Sequence, residues 1–167
     1  MTSPANPLHS PPLSPAEHKA LAALLERLRR NVRTREAATD RLHQLHDDVF
    51  ARTDCTQCAA CCTVGTPIFG PRDVDRLARH LRLRPAEFET RYLRRDPDGD
   101  LVLQSSPCPF LGADKRCTVY EHRPTNCREY PQTRKANPFG MTQHLLRTTD
   151  VCPAARAIYR LLLADNP

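Results

Sequence analysis

Hydrophobic residues between positions 15 and 51 recur at helical spacing, and no glycine or proline follows Pro15 in that segment. Arg35 and Thr39 interrupt an otherwise regular apolar stripe. The run Ser14-Pro15-Ala16-Glu17 is a helix start, because it combines a serine cap, a proline in the first turn and a capping-box glutamate. The pattern predicts one long amphipathic helix over residues 15–51, or two helices broken near residues 34–39. The stripe consists of Leu21, Leu25, Leu28, Val32, Leu42, Leu45 and Val49.

Shorter elements are predicted further along the chain. Asp73 is suited to cap a helix bearing Val74 and Leu77, and the run 84–87 begins a second helix that carries Phe88. Apolar runs at 101–103 and 117–120 predict two short strands. Residues 143–149 are expected to form a third extended piece. Residues 154–164 predict a closing helix. The expected fold class is therefore α+β, mostly helical, with short strands and a long N-terminal helix.

Composition divides the chain into three parts. Residues 1–14 are rich in proline and serine and have little to bury, which predicts a disordered tail. The helix over 15–51 follows, and residues 52–167 form the remaining domain, including the closing helix. The chain has 167 residues with 40% hydrophobic positions, 5% aromatic positions and no tryptophan. A core of that size is modest, and small domains often gain stability from a bound metal.

Cysteines carry the strongest chemical signal. Four of them stand in the run CTQCAACC at residues 55–62, and four more follow at wide intervals. Thiolates gathered so closely repel one another unless a cation or a cluster neutralises them. We therefore expect a metal-stabilised cysteine-cluster domain in which all eight cysteines are candidate metal ligands. They are Cys55, Cys58, Cys61, Cys62, Cys108, Cys117, Cys127 and Cys152.

A disulfide framework is the main alternative, since eight is an even number. Disulfides require an oxidising compartment. Residues 1–20 lack the basic start and apolar stretch of a secretory signal, and no apolar run has the length of a membrane span. These features predict a cytoplasmic protein without a membrane partner, in which clustered thiols stay reduced and bind metal.

The spacing favours iron–sulfur over zinc but leaves both open. Residues 55–61 have the C-x2-C-x2-C register with which ferredoxin loops hold three corners of a 4Fe–4S cluster, and a distant Cys-Pro supplies the fourth. Two such dipeptides are present, Cys108-Pro109 and Cys152-Pro153. Two tetrathiolate zinc sites are the alternative, because zinc is commonly held by four cysteines.

Charge and histidines add partner hypotheses. The net charge is +6, but thiolate ligands would offset much of it, and the sequence argues against a nucleic-acid partner. Five arginines between residues 27 and 35 would cover more than one face of a continuous helix and are interpreted as a solvated surface. His43 and His46 lie one turn apart and could ligate metal, although surface histidines are commoner. The helix over 15–51 is expected to pack on the cysteine domain, on a protein partner or on a second copy of itself.

Three segments carry a resemblance to a known family. CTQCAACC, CPFLGADKRCTVYEHRPTNCREYP and Cys152-Pro153 resemble the YkgJ-type cysteine cluster family, the zinc- or iron-chelating CxxCxxCC domain. The resemblance covers roughly residues 52–155 and implies a small metal-binding domain with all eight cysteines as candidate ligands. A related domain occurs in a flagellin lysine methylase, but no cofactor-binding signature here supports methyl transfer.

Arg123 and Arg128 flank Cys127 and could donate hydrogen bonds to its sulfur, which would tune a metal centre. The leading hypothesis is a metal-binding module for redox chemistry, sensing, metal handling or structure. The alternative is an enzyme, a small oxidoreductase or a methylase-like accessory, that uses the same centre. A hydrolytic zinc site is disfavoured, because no H-E-x-x-H or H-x-E partner accompanies the cysteines.

Overall fold

A computed structural model of the protein describes residues 6–166, and these contain nine α-helices, two β-strands and three short 3-10 helices. The helices are α1 (Pro15–Arg30), α2 (Val32–Phe50), α3 (Cys55–Cys58), α4 (Ala60–Val64), α5 (Pro71–His80), α6 (Pro85–Tyr92), α7 (Thr125–Glu129), α8 (Thr142–Val151) and α9 (Pro153–Ala164). The strands are β1 (Leu93–Arg95) and β2 (Leu101–Leu103), and the 3-10 helices span Pro7–His9, Tyr120–His122 and Pro138–Met141. The fold is α+β and mostly helical, as predicted. No helix within residues 6–166 is both long and apolar enough to cross a membrane.

The chain divides into two compact units. The helical unit comprises Met1–Asp54 and Pro131–Pro167, and the cysteine unit comprises Cys55–Tyr130. The sequence predicts that residues 131–167 belong with the cysteines, whereas the structure places α8 and α9 with α1 and α2. The reason is apolar burial, because Ile158 and Leu162 of α9 are fully buried in the core formed by the N-terminal stripe.

The helical unit has one apolar core, to which α1, α2, α8 and α9 all contribute. Ser14 caps α1 as predicted: its hydroxyl accepts a hydrogen bond from Glu17 N–H, and Glu17 accepts one from Ser14 N–H. The predicted helix over 15–51 is a pair of helices, with the break at Asn31 rather than at residues 34–39. Asn31 has extended backbone angles, and its side chain accepts from Arg33 N–H. As a result Val32, a predicted stripe residue, is 66% exposed.

Residues 1–14 are predicted to be disordered, and positions 1–5 of that segment lie outside the described residues. Residues 6–14 are placed by contacts that the composition does not reveal. Pro7 is buried, and Arg160 of α9 donates hydrogen bonds to the carbonyl oxygens of Pro11 and Pro12. Arg156 donates to the carbonyl oxygen of Ser10 at 2.9 Å.

Residues 143–149, expected to be extended, lie in helix α8 instead. Leu145 and Leu146 are buried in the core of the helical unit. Thr148 and Thr149, which favour strands by propensity, donate their hydroxyls to the carbonyl oxygens of those two leucines at 2.6 Å each. Burial of the leucine pair therefore overrides the β propensity of the threonines.

The cysteine unit packs α5 and α6 against an antiparallel hairpin of β1 and β2, with Leu93 opposite Leu103. Phe88 is fully buried at its centre, with its ring 5.2 Å from Tyr92 and 6.3 Å from Phe110. The predicted strand at 117–120 is wrong: it is reduced to a single bridge between Leu111 and Cys117, because a 3-10 helix begins at Tyr120.

Candidate metal centre

The early cysteines lie on two very short helices. Cys55 and Cys58 are on α3, and Cys61 and Cys62 are on α4. Ala59 separates the helices and has a left-handed backbone with φ of 52°, which changes the chain direction between the two pairs. Cys55 is exposed and the other three are half-buried. None of the eight cysteines, all of which lie within the described residues, is joined in a disulfide.

Backbone hydrogen bonds bring the second cysteine segment to α4. Cys108 N–H donates to the carbonyl oxygen of Cys62 at 2.8 Å, and Ser106 Oγ donates to that of Thr63 at 2.7 Å. A tight loop then returns the chain, because Leu111 N–H donates to Cys108 O and Leu111 bridges to Cys117. Cys62, Cys108 and Cys117 are therefore fixed near one another by the main chain.

The third segment contributes Cys127 and a cation. Cys127 lies on α7, where its N–H donates to the carbonyl oxygen of Pro124 at 3.0 Å. Arg123 precedes α7 and is held over the ring of Tyr120, with Cζ 3.4 Å from the ring centroid. Its Nε also donates to Tyr120 O at 2.9 Å. Both contacts restrain the guanidinium.

Four thiols influence one another electrostatically, and we call Cys62, Cys108, Cys117 and Cys127 the four-thiol group. Burial raises the pKa of Cys127 to about 12, with further increases from the negative charge of the other three. Burial also raises the pKa of Cys108 to about 11, with Cys62 and Cys117 adding to it. The pKa of Cys117 is raised by burial and by Cys62. These effects place the four sulfurs within electrostatic range of one another.

Cys62 differs from its three neighbours. A hydrogen bond from the thiol of Cys61 lowers the pKa of Cys62 to about 7, burial opposes the decrease, and Arg123 adds to it. Arg123 also lowers the pKa values of Cys117 and Cys127, although burial outweighs it there. One arginine therefore favours the thiolate form at three positions.

The four-thiol group has the donors that zinc and iron–sulfur clusters use, namely cysteine sulfurs that bind as thiolates. Within residues 6–166, however, no group of three or more histidine, cysteine or acidic side chains is arranged in coordination geometry. Binding of one metal centre would therefore require the thiols to move toward it. The cation of Arg123 would offset part of the negative charge of the resulting thiolates.

A family comparison decides the classification. A model of the CxxCxxCC domain, described as "Putative zinc- or iron-chelating domain", matches residues 54–153. This chain belongs to the CxxCxxCC family. The resemblance found in the sequence is thereby confirmed. No curated protein and no solved structure matches the chain. Seven of the eight cysteines of this CxxCxxCC protein lie in the cysteine unit, and the matched range also includes Cys152.

Other residues of the CxxCxxCC chain that the sequence marks as candidates for the metal site have surroundings different from those of the four-thiol group. Cys152 belongs to the helical unit, where its sulfur accepts from Ala155 N–H at 3.4 Å and caps α9. His43 Nε2 lies 3.1 Å from Lys135 O, and His46 Nδ1 lies 2.7 Å from Thr133 Oγ1. Arg128 is exposed on α7, and the cation that acts on the four-thiol group is that of Arg123.

A buried carboxylate that the sequence did not mark as a site residue supports the segment before α7. Asp73 is 5% exposed and accepts hydrogen bonds from Thr125 N–H and Thr125 Oγ1, each at 3.1 Å. It also forms an ion pair with Arg76, which in turn donates to the carbonyl oxygens of His122 and Arg123. The Asp73–Arg76 pair therefore fixes residues 122–125. This segment contains Arg123 and leads into α7, which carries Cys127. The only sequence signal for this role of Asp73 is that an acidic residue stands at the third position of α5.

The pKa values predict an order of reactivity in the metal-free protein. At pH 7 Cys62 should have a larger thiolate fraction than Cys108 and Cys127, which should be almost entirely protonated. Since the thiolate is the nucleophile, iodoacetamide should modify Cys62 first within the four-thiol group, as measured by peptide mass spectrometry. Arg123→Gln should raise the pKa of Cys62 and slow that modification. Arg128→Gln is the matched control, and an equal effect of both variants would contradict the role of Arg123.

Proposed function

We propose that the cysteine unit is a metal-binding module whose four-thiol group holds one metal centre for electron transfer or structural support. The observation that supports this most directly is the main-chain hydrogen bond from Cys108 N–H to Cys62 O at 2.8 Å, which joins the 108–117 loop to α4. The thiol of Cys127 on α7 lies within electrostatic range of both segments, because Cys62, Cys108 and Cys117 each raise its pKa. Ionising these thiols together is unfavourable without a cation, because burial and neighbouring thiolates raise the pKa values of Cys108, Cys117 and Cys127. A bound metal would favour the thiolate forms, and its binding would stabilise the fold.

A 4Fe–4S cluster is the occupant we favour, and zinc is the second candidate. Within the four-thiol group the Cys108-Pro109 dipeptide supports the cluster, whereas the C-x2-C-x2-C register at 55–61 supports a cluster held by a different set of thiols. A four-thiolate set drawn from separate segments is also typical of structural zinc, and this supports the second candidate. The thiols of Cys55, Cys58 and Cys61 remain candidate ligands for a second centre, and Cys152 also remains a candidate ligand.

Four thiolates would complete the coordination of a zinc ion or occupy all four corners of a cluster. A closed site of this kind has no open position for substrate or activated water. The centre would therefore transfer electrons or stabilise the fold, and hydrolysis at the metal is not part of the proposal.

Anaerobic purification of the full chain tests the proposal. We expect about four iron and four sulfide per chain, with a visible iron–thiolate absorption band, by elemental analysis and spectroscopy. A colourless protein with stoichiometric zinc would support the second candidate. A folded and monodisperse product that contains neither metal, and that takes up neither on reconstitution, would contradict the proposal.

A further inference from the structure

Arginines converge where α1 ends and α2 begins. The junction forms an open concavity of about 630 Å³, lined by Arg27, Arg30 and Arg33 together with Glu26 and Val32. The last turn of α1 and the first turn of α2, on either side of the break at Asn31, both line this depression.

The local charge is strongly positive and only partly compensated. Between residues 26 and 36 there are five arginines and two glutamates, a net formal charge of +3. Glu26 is shared by Arg29 and Arg30, with N–O distances of 2.6 and 2.8 Å. Arg27 and Arg33 are exposed, and within the described part of the chain neither forms an ion pair. Two guanidinium groups are therefore available to an external anion.

Helix electrostatics distinguish the two sides of the junction. Arg27 and its neighbours lie in the last turn of α1, where positive charge is favourable. Arg33 lies in the first turn of α2, which has no acidic residue, and positive charge is unfavourable there. Val32 places an apolar side chain, 66% exposed, between the two arginine-bearing turns. The surface thus combines unpaired guanidinium groups with an exposed apolar contact.

We propose that this arginine junction binds an acidic segment of a partner protein, with carboxylates on Arg27 and Arg33 and an apolar side chain on Val32. Guanidinium groups bind carboxylates through paired hydrogen bonds, so the chemistry is complementary. A nucleic-acid strand fits less well for two reasons. The exposed surface of α2 continues with Glu36, Asp40 and Asp48, which would repel further phosphates. The segment 15–49 also has no phenylalanine, tyrosine or tryptophan on which bases could stack.

Fluorescence anisotropy with the full-length, metal-loaded protein tests this proposal. The probe is a labelled peptide of Glu-Glu-Leu repeats, and its binding should weaken as salt is raised. The double variant Arg27→Gln and Arg33→Gln should weaken binding by about five- to tenfold. Glutamine is a good helix former, so circular dichroism and metal content should not change.

The matched control is the double variant Arg72→Gln and Arg147→Gln, which removes the same charge from exposed positions elsewhere. It should bind the peptide as the parent does. Equal weakening by both double variants would mean that only net charge matters and would overturn the proposal. Absence of peptide binding to the parent, or tighter binding of an oligothymidylate of equal charge, would overturn it as well.

Discussion

Cys127→Ser is expected to release most of the bound metal and to destabilise the cysteine unit. Cys127 is affected by all three other members of the four-thiol group, and its pKa is raised to about 12. Serine keeps the approximate size of the side chain but is a poor metal ligand. Because metal binding is coupled to folding, the free energy of unfolding should decrease by on the order of 3 kcal/mol or more. Metal content per chain and urea unfolding measure the two effects.

A chelated sample separates metal loss from packing loss. If the effect of Cys127→Ser arises from the metal, the metal-free parent and the metal-free variant should differ by only about 1 kcal/mol or less. Equal destabilisation with and without metal would mean that Cys127 acts through packing alone.

Cys152→Ser is the informative comparison for the helical unit. Serine is a favourable helix cap, so this variant should retain the cap of α9 that Cys152 now provides. We expect it to keep its metal, in contrast to Cys127→Ser. Loss of metal from Cys152→Ser would instead identify Cys152 as a ligand, as the Cys-Pro pattern suggests.

Helix starts were predictable because their signals are local. The runs Ser14-Pro15-Ala16-Glu17 and 84–87 place proline in the first turn and glutamate at the third position, and both begin helices in the structure. The same acidic position in α5 is Asp73, which accepts from Gly70 N–H, so the helix begins three residues earlier than a cap at Asp73 would imply. Capping chemistry involves only a few neighbouring residues, and a sequence therefore specifies it well.

Elements were less predictable where they depend on burial against residues that are distant in the sequence. Leu145 and Leu146 are buried against helices from the other end of the chain, and nothing near them indicates this. The break at Asn31 is similar, because asparagine is compatible with a helix interior and with a cap. The unit boundary at Pro131 depends on contacts of α9 with α1 and α2, which local pattern cannot specify.

The cysteines were predictable as a set, but their grouping was not. Spacing suggested that Cys55, Cys58 and Cys61 would act together, whereas the electrostatic group draws Cys62 from that run. Neighbouring cysteines point in different directions, and only the tertiary structure decides which one meets Cys108. Arg123 and Arg128 were equally plausible in sequence, and the stacking of Arg123 on Tyr120 distinguishes them.

Asp73→Asn should destabilise the cysteine unit and accelerate metal release. The substitution removes the negative charge that pairs with Arg76, whose side chain is only 28% exposed. Breaking a fully buried ion pair costs roughly 3–5 kcal/mol, and the remaining exposure of Arg76 reduces the expected cost to about 2–3 kcal/mol. Because the pair fixes residues 122–125, release of metal to a chelator should be faster in the variant. The rate of that transfer and urea unfolding at pH 7 measure these effects.

The matched control is Asp75→Asn, an exposed aspartate two positions further along α5 that should change neither quantity appreciably. A pH series gives a second test. Burial raises the pKa of Asp73, but hydrogen bonds from Arg76, Thr125 and Gly70 outweigh it, so the net pKa is lowered. Its contribution is therefore fully present above the ordinary aspartate pKa of about 3.9 and is lost as pH falls through the lower folded value. The difference in stability between the parent and Asp73→Asn should accordingly shrink below about pH 4. A difference independent of pH would show that the carboxylate charge does not hold the segment before α7.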